Sequence, residues 1–131
     1  MRLVYYIKVM FTPKSILCVV AHPDDIEFCC GGSIPYWIEQ GAKVSYLICS
    51  DGAQGTSDPS KAGDLLKDTR RREQKNAAQV YGVSDVTFLN YPDCGVEASD
   101  SLRKDIVREI RRIKPDTVFT MDPTFYYYQD L

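Results

Sequence analysis

A chain of 131 residues with 44% hydrophobic and 26% charged side chains makes a single folded domain, large enough to bury about two-thirds of its unfolded surface. The formal net charge of −2 excludes a general electrostatic attraction to nucleic acid or to an anionic membrane. Arg70-Arg71-Arg72 and Arg111-Arg112 are local basic runs, expected to be solvated helix faces.

Residues 3–11 are apolar but broken by Lys8, and Pro13 and Lys14 follow. Neither a signal peptide nor a membrane span is expected there, and residues 3–10 read as an additional strand. Residues 15–21 are the first secure strand. Residues 25–40 have helical length, but Gly31-Gly32 and Pro35 interrupt them. Those glycines serve either close approach of a ligand or plain helix–strand packing. Strands follow at 43–49, 85–90 and 117–121, with helices at 64–81 and 99–113 between them. Gly41 and Gly82 stand where helix C-caps belong, Ser99 is an N-cap and Pro115 a stop signal. Strands alternating with helices predict βαβ units: an α/β, three-layer α-β-α sandwich around a mostly parallel, Rossmann-like sheet. Residues 1–131 form one domain, with no repeat or low-complexity tract.

The five cysteines are odd in number and form no CxxC pair. Cys18 and Cys49 lie inside apolar runs, where a reduced thiol packs as a small hydrophobe. This usage predicts a reducing, cytoplasmic compartment and no disulfide framework.

The run Ala21-His22-Pro23-Asp24-Asp25 places one imidazole and two carboxylates at the C-terminal end of the first strand, the end at which open α/β sheets bind ligands. His22 is the only histidine. A purely structural explanation makes Asp24 and Glu27 a capping box, which accounts for one acid but not for His22 or the second acid. The chemical explanation has neutral His22 and ionised Asp25 binding one zinc ion. Asp24 is then left to take a proton from the metal-bound water as it attacks an amide or ester carbonyl.

The motifs resemble those of the LmbE-like (PIG-L) de-N-acetylases. Ala21-His22-Pro23-Asp24-Asp25 with Glu27 and Gly31-Gly32 is similar to the family's first motif. Ser50-Asp51-Gly52-Ala53-Gln54-Gly55 is similar to its T/S-D-G-x-x-G turn. Arg70-Arg71-Arg72-Glu73 with Ala77-Ala78 and Gly82-Val83 is similar to its R-x-x-E…A…LG helix, and Phe88-Leu89-Asn90-Tyr91-Pro92-Asp93 to its F-L-x-x-P-D. The resemblance spans roughly residues 15–123. It implies a hydrolase that removes the acetyl group from an N-acetylglucosamine-type sugar or a related small molecule. His22 and Asp25 would be its zinc ligands and Asp24 its general base. Arg70 and Asp93 would bind substrate hydroxyls, and Asp51 would support the site from behind the ligands. Taken without the family, Arg70 could instead pair with Glu73 or Asp68, and Asp93 could be turn chemistry beside Pro92.

One departure stands out. The family takes its third zinc ligand from a later H-P-D-H-like motif, whereas this chain reads Asp122-Pro123-Thr124-Phe125-Tyr126-Tyr127-Tyr128-Gln129-Asp130-Leu131, without a second histidine. Two explanations are open: an N-terminal piece of the fold, or a short protein that has lost the site. Asp122 or Cys94 are the substitutes at hand for the third ligand. With two ligands the chain is expected to hold zinc weakly and to be weak or inactive. Its uncovered apolar surface predicts a homo-oligomer, with Tyr126-Tyr127-Tyr128 taking part in association, stacking on sugar or packing as a plain tail. The rival readings are a magnesium site for phosphoryl chemistry built from Asp24, Asp25 and Asp51, and a non-catalytic remnant serving assembly. Nucleotide binding has no GxGxxG to support it.

Overall fold

The computed structural model describes residues 12–124. The expected strand at 3–10 and the run Tyr126-Tyr127-Tyr128 lie outside the described residues. β1 (Ser15–Val20) is buried from its second residue onward, and β2 (Lys43–Ser50) from Val44 onward. Such unbroken apolar runs belong to parallel strands covered on both faces. β3 (Asp85–Tyr91) and β4 (Thr117–Thr120) are only partly buried and flank them. The sheet order is β3-β2-β1-β4 and every pairing is parallel.

The two faces of the sheet carry different helices. Ile16, Cys18, Val20, Tyr46 and Ile48 share one apolar cluster with Ile26, Ile34 and Ala78 from α1 (Asp25–Cys30), α2 (Ser33–Glu39) and α3 (Asp64–Val80). Leu17, Val19, Leu47 and Cys49 point the other way, toward Leu102, Ile106 and Ile113, the last two within α4 (Asp100–Ile113) as Leu102 is. The three-layer α-β-α arrangement is therefore observed. Trp37 of α2 tilts against Phe119 of β4, with ring centroids 4.7 Å apart, tying the β4 edge to the first layer.

Two local expectations change. The helix expected at 25–40 is two helices, broken at Gly31-Gly32; Pro35 sits in the first turn of α2, where its missing N–H costs nothing. A Cβ at Gly31 would lie 3.1 Å from the Tyr81 hydroxyl at the end of α3, so packing is what this glycine serves. The basic runs are not simply solvated. Arg70 is engaged at the strand ends, Arg71 lies 4.8 Å over the Phe88 ring, and Arg112 bridges Asp85 and Glu109. Ser99 caps α4 through Leu102 N–H, and Gly41 and Gly82 follow their helices at positive φ, as expected.

Candidate active site

His22, Asp51 and Asp93 follow the C-terminal ends of β1, β2 and β3. From β1 the sheet runs one way to β2 and β3 and the other way to β4, so the connections part company beside β1. A crevice forms at such a switch point because the loops leave in opposite directions. His22 stands at that position.

The turn between β1 and α1 is held from α3. Asp24 adopts a left-handed backbone (φ 95°, ψ −23°), a conformation that a non-glycine residue keeps only when its neighbours impose it. Arg70 donates from Nη2 to the Pro23 carbonyl at 2.7 Å and to Asp24 Oδ2 at 3.1 Å, and from Nη1 to the Gly52 carbonyl at 3.0 Å. One turn along α3, Gln74 accepts the Asp24 backbone N–H at 2.7 Å and donates to Glu27 Oε1 at 2.9 Å. The glycines of the Ser50–Gly55 turn make room for this clamp. Gly52 has φ 67°, and a Cβ at Gly55 would collide with Arg70 Nη1. The capping box is not formed: Asp24 makes no side-chain cap bond, because its left-handed backbone turns the carboxylate to Arg70. Nor does Arg70 pair with Glu73 or Asp68; its carboxylate partner is Asp24.

His22 lies between two carboxylates. Nε2 is 3.0 Å from Asp93 Oδ1, and Nδ1 is 3.6 Å from Asp25 Oδ2, an ion-pair distance rather than a hydrogen bond. Asp25 Oδ2 also accepts the His22 backbone N–H at 2.8 Å. The Asp25 carboxylate does most to raise the His22 pKa above its ordinary value, and the charge of Asp93 adds to it; partial burial and Arg70 act the other way. Burial pushes the Asp25 carboxyl up, but the His22 side chain and backbone amide outweigh it and hold it below the usual range. Asp51 turns away from this group. It accepts the N–H groups of Ala53 and Asp93, each at 3.1 Å, and pairs with Lys67 at 3.6 Å. Asp51 thus braces the loop that carries Asp93.

Two donors bound to one zinc at about 2.0–2.1 Å and tetrahedral angles stand about 3.4 Å apart. The 3.6 Å between His22 Nδ1 and Asp25 Oδ2 fits one edge of such a site. Among the described residues no group of three or more His, Cys, Asp and Glu side chains is arranged to hold a metal. Asp122 closes on Thr124, accepting its N–H at 2.8 Å and its hydroxyl at 2.7 Å, and Cys94 is exposed; neither completes a third position. The magnesium alternative needs Asp51 beside Asp24 and Asp25, and the structure commits Asp51 to loop backbone instead.

Gln74 is the site residue that sequence reasoning passed over, and Glu27, expected as a cap partner of Asp24, is bound by Gln74 instead. Gln74 is 3% exposed in a strongly polar helix, four residues after Arg70 and so on the same face. That i, i+4 spacing was the available signal. Glu27 keeps Oε2 buried without a hydrogen-bond partner, and burial raises its pKa.

Comparison with known proteins matches this geometry to a set of relatives. Diacetylchitobiose deacetylase of Thermococcus kodakarensis is 35% identical over 114 residues, covering 87% of this chain and 43% of the relative. The solved N,N'-diacetylchitobiose deacetylase of Pyrococcus horikoshii superposes with TM-score 0.84 at 37% identity, covering 89% of this chain and 44% of its own. GalB, the 4-carboxy-2-hydroxymuconate hydratase of Pseudomonas putida KT2440, gives 0.75 at 30% identity, covering 86% and 50% respectively. The chain thus spans about half the length of the relatives it matches. Residues 17–130 match the family model described as PIG-L, GlcNAc-PI de-N-acetylase, and the chain belongs to that family.

Proposed function

We propose that the protein carrying this chain is a metal-dependent hydrolase that removes an acetyl group from the amide nitrogen of an N-acetylglucosamine-type sugar. The observation that carries this reading is the His22–Asp25 edge, spaced for one cation, with the half-exposed Asp24 carboxylate beside it at the strand ends. His22 and Asp25 would hold zinc, with a further donor from outside the described residues. When bound, zinc supplies a water of lowered pKa and polarises the acetyl carbonyl. Asp24 takes up the water proton at its carboxylate, which Arg70 steadies at Oδ2. The left-handed turn at Asp24 sets the direction in which that carboxylate points.

Arg70 reaches substrate only through its remaining N–H groups, since its other donors already hold Pro23, Gly52 and Asp24. The 131-residue chain by itself binds zinc weakly and turns over slowly or not at all. The same reading places it in a reducing, cytoplasmic setting and has it self-associate. Phe28 on α1 and Val118 on the β4 edge leave apolar surface open, and size-exclusion chromatography would show a species larger than the monomer. Among the described residues, no helix is long and apolar enough to cross a membrane.

The test is acetate release from N-acetylated amino sugars by the whole protein and by its Asp24→Asn variant. Loss of about 10²–10⁴-fold in kcat with an unchanged melting temperature supports Asp24 as the base. Full activity in the variant contradicts it. Water addition to 4-carboxy-2-hydroxymuconate without acetate release would place the protein with the hydratase neighbour instead.

A further inference from the structure

Gln74 is 3% exposed, which leaves substrate no surface to touch, yet it is tied to the residue proposed as the base. Its Oε1 accepts the Asp24 backbone N–H at 2.7 Å, and its Nε2 donates to Glu27 Oε1 at 2.9 Å. The Glu27 bond fixes which way the amide faces. A flipped amide would set its NH2 against the Asp24 N–H and its oxygen against a carboxylate oxygen.

The Asp24 N–H and the Pro23 carbonyl belong to one peptide unit. No cis peptide occurs among the described residues, so these two groups point in opposite directions. α3 holds both: Arg70 Nη2 donates to the carbonyl at 2.7 Å, and Gln74, four residues on, accepts the N–H. Side chains at i and i+4 share one helix face, so a single helix presents both donor and acceptor. On the other side of Asp24, its own carbonyl accepts the Phe28 N–H at 3.2 Å in the first turn of α1. Both peptide planes flanking Asp24 are thus anchored, and with them φ 95°, ψ −23° and the direction of its Cα–Cβ bond. Rotating only the Pro23–Asp24 plane by half a turn would bring φ from 95° to about −85°, an ordinary right-handed helical backbone. It would also set the carbonyl against Gln74 Oε1 and the N–H against Arg70, acceptor to acceptor and donor to donor.

We infer that Gln74 is a positioning residue: with Arg70 it locks the Pro23–Asp24 peptide plane, holds Asp24 in the left-handed region and so sets where its carboxylate stands. The purpose of this lock rests on Asp24 as the proposed base; the lock itself does not. Arg70 also binds the Asp24 carboxylate at Oδ2, so its removal changes two things at once. Among the described residues Gln74 hydrogen-bonds only to the Asp24 backbone and to Glu27, which makes it the cleaner probe.

Two variants of the whole protein separate a lock from a packing role. Gln74→Met keeps the volume and removes both hydrogen bonds. Gln74→Glu paired with Glu27→Gln keeps an acceptor for the Asp24 N–H and exchanges donor and acceptor across the second bond. In acetate release from an N-acetylated amino sugar, Gln74→Met is expected to lower kcat by about 10–10²-fold, with KM within about threefold. The paired variant should recover to within about threefold of wild type. A packing residue gives the opposite order, because Met suits a covered site better than an added carboxylate does. Crystal structures of the same proteins read the backbone directly. Asp24 should keep a positive φ in wild type and in the paired variant, and take a negative φ in Gln74→Met. A positive φ in Gln74→Met, or an unchanged kcat in it, overturns the inference. A negative φ in the wild-type crystal overturns it even if Gln74→Met fails to fold. Full activity in Asp24→Asn removes the base assignment, and the Asp24 backbone in these crystals still decides the lock.

Discussion

Two arginines at opposite ends of the same sheet show how similar chemistry serves different ends. Arg112, on α4, forks onto both oxygens of Asp85 at 3.0 Å and adds Glu109 and Thr87. Asp85 opens β3, so this network closes the N-terminal end of the strands, and with Arg112 46% exposed it is largely solvated. Arg70, on α3, makes fewer bonds but is 15% exposed, and two of its three acceptors are backbone carbonyls of loops at the C-terminal strand ends. Water reaches the Arg112 guanidinium more freely than that of Arg70, although Glu109 beside Arg112 is itself buried. Burial therefore predicts the larger contribution for Arg70, the opposite order from bond number.

The sharpest test of this contrast is a pair of alanine variants. Arg70→Ala should destabilise by about 3 kcal/mol, because the loop carbonyls and the Asp24 turn lose their donor, and the whole protein should lose activity with it. Arg112→Ala should cost about 1 kcal/mol or less in urea unfolding and leave activity intact. The reverse order would break the comparison. Next in size, Gln74→Leu leaves the Asp24 N–H buried without an acceptor and should cost about 1–2 kcal/mol. Its activity loss should appear in kcat rather than KM if the residue it releases, Asp24, is the proposed base. An unchanged kcat would make Gln74 a packing residue.

The smallest effect is a pH dependence. Burial raises the Glu27 pKa in the folded state. The native state then holds more protons than the unfolded state just above the ordinary value of 4.5, so stability falls as pH rises through the raised pKa. Glu27→Gln should match wild type at a pH below 4.5 and be the more stable of the two near neutrality, by chemical denaturation at both pH values. Equal stability at both would show that Oε2 is hydrated in solution.

The strands were legible because β1 and β2 are apolar on both faces, a pattern that solvent-facing segments rarely imitate. Helix ends were legible where a local signal sets them: the Ser99 cap, and the glycines at 41 and 82. What failed had non-local causes. The capping box at Asp24 and Glu27 was a sound local reading, but α3, some fifty residues on, docks Arg70 and Gln74 against that turn and imposes a left-handed backbone. The arginine triplet read as a solvated face for the same reason, since no residue before the turn announces that Gly52 and Gly55 leave room for a guanidinium. His22, Asp24, Asp25, Arg70, Asp51 and Asp93, singled out by motif likeness, lie at one end of the sheet. Which of them touch, and through which atoms, depended on the register of loops that sequence alone leaves free.

The central claim is that His22 and Asp25 share one cation while Asp24 stays off it. Anomalous diffraction at the zinc edge, from crystals of the whole protein grown with zinc, tests this most directly. The account predicts one peak within bonding distance of His22 Nδ1 and an Asp25 carboxylate oxygen, with Asp24 within reach of a water beside it. A peak ligated by Asp24 in place of Asp25, or lying away from His22, would contradict it.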